Sequence, residues 1–311
     1  MHAWPELPYE VWRETRDTLH MYTQVIGKLR LAFSPFEPQW GNVPLYVTAC
    51  GLTTSPIPVG AGTIDAELDL LGHVLILRNS NGETERRPLG APVADFSRDT
   101  MGALRRMGVD VAISVVPSEV ADPIPFPEDH VHSTYEPAQA SRFFQVLSAV
   151  DIVCKEHRAR FRGRTTPVHF FWGTFDLALT RFSGRPLAPP EHAGVIRRFG
   201  GDAECVSVGW WPGDDRVRYP AFSAYASPKP DGLEHTAIGP AGAAWNDAAG
   251  EFLMPYDVAR TSTDPPRAAL EFFATTYAAA AGLLGWDRGL TEVKAPHPRS
   301  LTTASAREGG A

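Results

Sequence analysis

Within residues 167–180 a histidine and an aspartate, His169 and Asp176, flank the pair Gly173-Thr174 in a stretch otherwise rich in Val, Phe, Trp, Leu and Ala. Gly-Thr suits a two-residue hairpin turn whose first position needs positive φ. Reversal there pairs Trp172 with Phe175, Phe171 with Asp176, Phe170 with Leu177 and His169 with Ala178. One face then gathers Val168, Phe170, Trp172, Phe175, Leu177 and Leu179, a core face. The other gathers His169, Phe171, Asp176, Ala178 and Thr180, so imidazole and carboxylate become diagonal neighbours with Cβ atoms about 6–8 Å apart. A continuous strand through Gly173 would send the two to opposite sides. A carboxylate beside an imidazole fixes its tautomer and raises its basicity, as a general base requires. His169 is the expected catalytic base and Asp176 its orienter. The bland alternative is a hydrogen-bonded pair in a wet layer between sheet and helix.

Other residues suggest binding. Lys155, Arg158, Arg160, Arg162 and Arg164 form a basic run at a helix end, followed by Arg181 and Arg185. Cations there complement the helix carbonyls, and they also suit a carboxylate or phosphate ligand. Arg158 and Arg181 are the expected anion partners, although Arg181 shares the register of the core face. Trp172 and Tyr225 are the expected aromatic substrate contacts. His130-Val131-His132 places two imidazoles on one face of an extended segment, and His157 lies on an otherwise apolar helical stripe. Together His130, His132 and His157 make a possible divalent-metal centre, with a satisfied core histidine as the simpler reading of His157. Either no cofactor or such a metal is expected.

The elements that position these groups follow from periodicity. Apolar residues at 12, 19, 22, 26, 29 and 33 predict a helix over 8–33, and those at 143, 147, 150 and 154 predict a second over 133–161, begun by a Ser133/Glu136 capping box. Strands are expected at 43–50, 68–78, 109–116, 204–211, 219–227 and 251–256, and a shorter helix at 93–107 stopped by Gly108. Asp264-Pro265-Pro266 opens a last helix. An offset of 128 residues lays Leu19 on Leu147, Ile26 on Cys154 and Phe33 on Phe161, which suggests a weak internal duplication. The expected fold is α+β: two related units of a helix with antiparallel strands, 1–120 and 121–290, closed by the C-terminal helix. Residues 291–311 are expected to be a disordered tail, and 183–201 and 227–250 to be lids over a cleft between the units.

The 311 residues are 43% hydrophobic and 21% charged, which excludes wholesale disorder. Net charge is 29 − 36 = −7, the wrong sign for a surface that holds nucleic acid or anionic lipid throughout. Neither partner is expected. Cys50, Cys154 and Cys205 are three and scattered, so neither a disulfide framework nor a zinc site is suggested. The start, Met1-His2-Ala3-Trp4-Pro5, has no apolar leader, and a cytoplasmic protein is expected.

Several motifs resemble one known family: Trp4-Pro5-Glu6-Leu7-Pro8; Pro44-Leu45-Tyr46-Val47-Thr48 with Gly51-Leu52-Thr53-Thr54; Asp122-Pro123-Ile124-Pro125-Phe126; and 167–173 with Arg181-Phe182-Ser183-Gly184-Arg185. The chain is similar over residues 4–288 to the bacterial domain-of-unknown-function family 5996. The resemblance implies a single full-length unit and assigns no catalytic role. The residues themselves point to a small-molecule-binding protein, an enzyme doing acid–base chemistry on a polar or anionic organic substrate. The alternatives are a metal-dependent oxygenase or hydrolase and a non-catalytic binding or scaffold module.

Overall fold

The computed structural model describes residues 4–189 and 191–290, so the expected tail at 291–311 lies outside the described residues. Tyr9–Phe33 forms α1, with the expected stripe of Trp12, Leu19, Tyr22, Ile26 and Leu29 buried. Neighbouring elements enclose it on nearly every side. A row at four-residue spacing, Arg16, His20, Gln24 and Lys28, is therefore withdrawn from solvent as well.

Six strands follow: β1 (Tyr46–Val47), β2 (Gly51–Thr53), β3 (Ile57–Val59), β4 (Gly62–Asp69), β5 (Val74–Asn79) and β6 (Thr84–Pro88). They form an antiparallel sheet ordered β1-β2-β4-β5-β6, with β3 also paired to β4. The single strand expected at 68–78 is thus the end of one strand, a turn and another strand. Asp69 makes the turn, its Oδ1 accepting from the backbone N–H of Leu71 (3.0 Å) and Gly72 (2.6 Å). Val93–Arg106 is α2, stopped before Gly108, whose φ is +76°.

The β-branched run at 109–116 is not a strand. Among the described residues no other strand pairs with it, and propensity without a partner does not make a sheet. The next helix, α3, is Pro137–Ala159. Its capping box does not form: the Ser133 hydroxyl donates to Val131 O (3.4 Å), and Pro137 starts the helix with its preset φ.

The second sheet is built from β7 (His169–Phe171), β8 (Asp176–Pro186), β9 (Ala203–Trp211), β10 (Ala221–Ser227), β11 (Ala244–Asn246) and β12 (Glu251–Pro255), ordered β11-β12-β10-β9-β8-β7 and antiparallel throughout. Two short helices, α4 (Val195–Gly200) and α5 (Tyr256–Arg260), precede α6 (Pro265–Leu283). Asp264 caps α6 by accepting from Arg267 N–H at 3.2 Å, as its sequence suggests. Helices α3 and α6 cover one face of this sheet, burying Leu177, Leu179, Val206, Val208, Trp210, Phe222 and Phe252.

The protein is α+β with two antiparallel sheets and a helix near the end of the described chain. The sheets do not share a strand order, so the topology does not establish the duplication. They meet at one bridge, Leu45 with Phe170, whose amides and carbonyls bond reciprocally at 2.9 Å each. Among the described residues no helix is long and apolar enough to cross a membrane.

Candidate functional site

The segment 169–178 forms a hairpin with the expected register: His169 opposite Ala178, Phe170 opposite Leu177 and Phe171 opposite Asp176. The reversal itself differs. It spans four residues, Trp172 to Phe175, and the positive φ falls on Phe175 (+61°) rather than on Gly173. Phe175 N–H closes the turn on Phe171 O at 2.7 Å. Glycine at 173 answers a different need. A Cβ there would lie 2.1 Å from Glu119 Oε2, so the absent side chain makes room for that carboxylate. Trp172 turns inward, with Nε1 donating to Val43 O (2.8 Å) and its indole against Gly27 of α1, where a Cβ would lie 2.2 Å from the ring.

His169 and Asp176 do face the same side of the sheet but form no dyad. His169 is buried beside Tyr46 and Phe171, and its Nδ1 has no hydrogen-bond partner. Burial, aided by Arg30 and Arg158, pulls its pKa down to about 4, so the ring is neutral and poorly basic. Asp176 instead accepts from the Thr174 hydroxyl and opens into a cleft. The shared face was right and the expected contact was not, because Tyr46 and Phe171 fill the space around the imidazole.

The cleft has a volume of about 1120 Å³ and lies over the side of the second sheet that α3 and α6 leave free. Its floor is made of small side chains because outward positions of adjacent strands pair small with small. Ala178 stands opposite Gly209, which stands opposite Ser223. Thr180 stands opposite Ser207, which stands opposite Tyr225, and the Thr180 and Ser207 hydroxyls are 3.0 Å apart. A Cβ at Gly209 would meet Leu177 O at 2.2 Å, so that position admits only glycine. Phe171, Trp211 and Tyr225 supply aromatic wall, and Trp172, its indole turned toward α1, only borders the cleft. Arg16 and His20 from α1, and Ser118 and Glu119 from the connector after α2, complete the rim.

Three carboxyls enter this space: Glu119, Asp176 and Glu251. None of them takes part in an ion pair among the described residues; of the three arginines that line the cleft, Arg216 is engaged with Asp214 (2.8 Å) and Arg16 with Asp17 (2.6 Å), and Arg197 also stands at the rim. Burial, with Glu119 nearby, raises Asp176 to about 6 against the lowering effect of Thr174. Burial and the Asp176 charge raise Glu251 to about 7, and burial also raises Glu119. The Tyr225 hydroxyl is held protonated by burial, with Cys205, Asp176 and Glu251 adding to the effect. Near neutral pH the two raised carboxyls can share one proton, presenting one acceptor and one donor as a pair. His20 donates from Nε2 to the carbonyls of Trp172 (2.9 Å) and Gly173 (3.0 Å), fixing the hairpin tip to α1. Burial first, then Arg16, takes its pKa to about 3, so it stays neutral.

The remaining expected site residues are dispersed. Tyr225 lines the cleft, its side chain exposed within the concavity but its hydroxyl enclosed among Cys205, Ser207 and Glu251. Arg158 stands outside it and donates from Nε to Thr165 Oγ1 at 2.9 Å. Arg181 lies on the helix-covered face, as its register warned, with Nη2 donating to His157 O and the guanidinium over Tyr277 (4.4 Å) and Phe161 (5.0 Å). His130 is exposed, and His132 bonds through Nδ1 to Asp129 Oδ2 at 2.7 Å. His157 is buried against Phe273 and Tyr277. Among the described residues no group of three His, Cys, Asp or Glu side chains is placed to hold a metal ion, so the proposed three-histidine centre is not assembled.

Glu119, Glu251, Arg16 and His20 escaped the sequence reading. The polar row at 16, 20, 24 and 28 was the available signal on α1, and outward parity in the last strand was the signal for Glu251. Comparison with known proteins adds one finding: the model of a family of unknown function, DUF5996, matches residues 4–293. No curated protein and no solved structure matches the chain.

Proposed function

The chain belongs to DUF5996, and from its cleft we propose that it binds a polar organic small molecule and performs acid–base chemistry on it, with Asp176 as base and Glu251 as acid. The observation that carries this reading is the placement of both carboxyls on one concave, small-residue floor without a basic partner. A carboxyl pair with separated affinities for the proton is the usual way to present acid and base together at neutral pH. Thr174 orients Asp176 by donating to it, and Tyr225 adds a neutral hydroxyl that feels the charge of both acids. Aromatic walls favour a ligand with an apolar side or ring. Three unpaired carboxyls favour a neutral or cationic substrate over the anion expected from Arg158 and Arg181, which lie elsewhere.

A thermal-shift screen of neutral, cationic and anionic polar metabolites tests the binding half of the reading. Hits are expected among neutral and cationic compounds and are expected to vanish in Ser223→Tyr, which fills the floor. For a compound that is turned over, Asp176→Asn and Glu251→Gln each lose roughly 100-fold or more in kcat, the usual worth of a general acid or base. Hits confined to anions, or hits indifferent to Ser223→Tyr, contradict the proposed site. Binding without turnover would make the protein a ligand-binding module.

A further inference from the structure

We propose that Ser118 is a nucleophile activated by Lys28, and that it takes the acyl group of a neutral or cationic carboxylic ester held in the cleft. The preference for that charge rests on the carboxyls described above; the nucleophile itself does not. Ser118 lies in the connector after α2, is partly exposed and lines the cleft. Lys28 lies on α1, only 3% exposed, and its Nζ stands 3.0 Å from Ser118 Oγ. A hydroxyl at a cavity wall with a buried amine behind it is one way in which serine becomes nucleophilic without an imidazole.

The surroundings of Lys28 favour its neutral form. A lysine this deep is ordinarily paired with a carboxylate. Such pairs are made by Lys155 with Asp151 (2.5 Å) and by Lys229 with Glu234 (2.6 Å), whereas Lys28 enters no ion pair among the described residues. Its contacts are the Ser118 hydroxyl and the face of Trp172, whose centroid lies 5.5 Å from Nζ. The indole offsets part of the cost of a buried charge, but a ring and a hydroxyl do not replace a counter-ion. Burial alone draws the Lys28 pKa down, with no charged neighbour acting on it. An amine that gives up its proton more readily has a lone pair with which to accept one from Ser118.

The serine is also held in place. Ser118 N–H donates to Gln24 Oε1 at 3.0 Å, and Gln24 Nε2 donates to Ser118 O at 2.7 Å. Gln24 and Lys28 are four apart on one face of α1, so a single helix fixes both the main chain and the hydroxyl. The next residue, Glu119, has φ of +59°, a conformation that a residue other than glycine adopts at a cost. In the reaction, Oγ bonds the carbonyl carbon of the ester while its proton passes to Nζ. The tetrahedral adduct then expels the alcohol oxygen, which leaves with the proton returned by Lys28, and the acyl group stays on Oγ. Water attacks the acyl carbon by the same route, its proton passing through Nζ back to Oγ as the acid departs.

Labelling of the full chain by a neutral alkyl fluorophosphonate tests the pair, since Oγ bonds the phosphorus and fluoride leaves. Intact mass and peptide mapping are expected to place one adduct on Ser118, absent in Ser118→Ala. The rate is expected to rise with pH from neutrality and to level off below 10.5, the ordinary lysine value, as the buried amine loses its proton. Lys28→Met keeps an unbranched stem beside Trp172 and should slow labelling roughly 100-fold or more. If that variant does not fold, the pH profile carries the test, because a lysine that only packs against the connector would leave the rate climbing with hydroxide through 10.5. No adduct, an adduct confined to other residues, wild-type labelling in folded Lys28→Met, or a rate that climbs without levelling would each overturn the proposal. Labelling is read without any metabolite, so the serine and the carboxyl pair can fail separately.

Discussion

Replacing Asp176 with asparagine should make the protein more stable at alkaline pH and leave it unchanged in acid. The carboxyl titrates at about 6 in the fold against an ordinary value of 3.8, because burial and Glu119 disfavour its charge. A group that holds its proton more tightly in the folded state favours folding at low pH. That benefit is complete below about 3.8 and is lost as pH rises through 6. The shift of about two pH units corresponds to a ceiling of about 3 kcal/mol. Asp176 is partly open to the cleft, and solvent screening reduces the figure to about 1–1.5 kcal/mol. Asparagine keeps an oxygen that accepts from Thr174 and removes the charge. Urea unfolding of both proteins at pH 4 and pH 8 measures the effect. The expected result is a gain of about 1–1.5 kcal/mol at pH 8 and none at pH 4. A loss at pH 8, or a gain independent of pH, would refute the account of Asp176 as an uncompensated acid. Glu251→Gln should behave alike with its window shifted upward, from 4.5 to about 7. The double variant should gain less than the sum, because the Asp176 charge is part of what raises Glu251.

Other perturbations test the scaffold. Gly27→Ala places a Cβ 2.2 Å from an indole fixed by its bond to Val43, and should destabilise by about 2–3 kcal/mol despite a helix-propensity gain of up to about 1 kcal/mol; equal or greater resistance to urea would contradict the close approach. His169, lowered from 6.5 to about 4, stabilises the fold above pH 6.5 and loses that contribution as pH falls toward 4. His169→Phe should therefore flatten the acid limb of a melting-temperature profile between pH 6.5 and 4, and a profile parallel to wild type would show that the imidazole takes up its proton as readily in the fold as in the unfolded chain.

Legibility in the sequence followed the range of the interactions involved. Helices α1, α2 and α6 are set by local spacing, by Gly108 and by Asp264-Pro265, and they appear where those signals place them. The hairpin register of 169–178 was also readable, since only one pairing makes its core face wholly apolar. Failures arose where a distant neighbour decides. Residues 109–116 have strand propensity but no strand beside them, and the Leu70-Leu71 turn is disguised by apolar side chains whose reversal Asp69 enforces. The site failed in the same way. Parity told which side His169 and Asp176 share, but Tyr46 is 123 residues from His169 and Glu251 is 75 residues from Asp176. The ring that helps bury His169 comes from β1, and the carboxyl that the Asp176 charge raises comes from β12.

The reciprocal bonds between Leu45 and Phe170 are the main-chain stitch between the two sheets. Any hinge motion that spreads the sheets has to unfasten those two amides, and both lie on fully buried residues. Deuterium uptake at just these two positions would thus act as a clock for the breathing of the whole body, running slowly while neighbouring loop amides exchange at once.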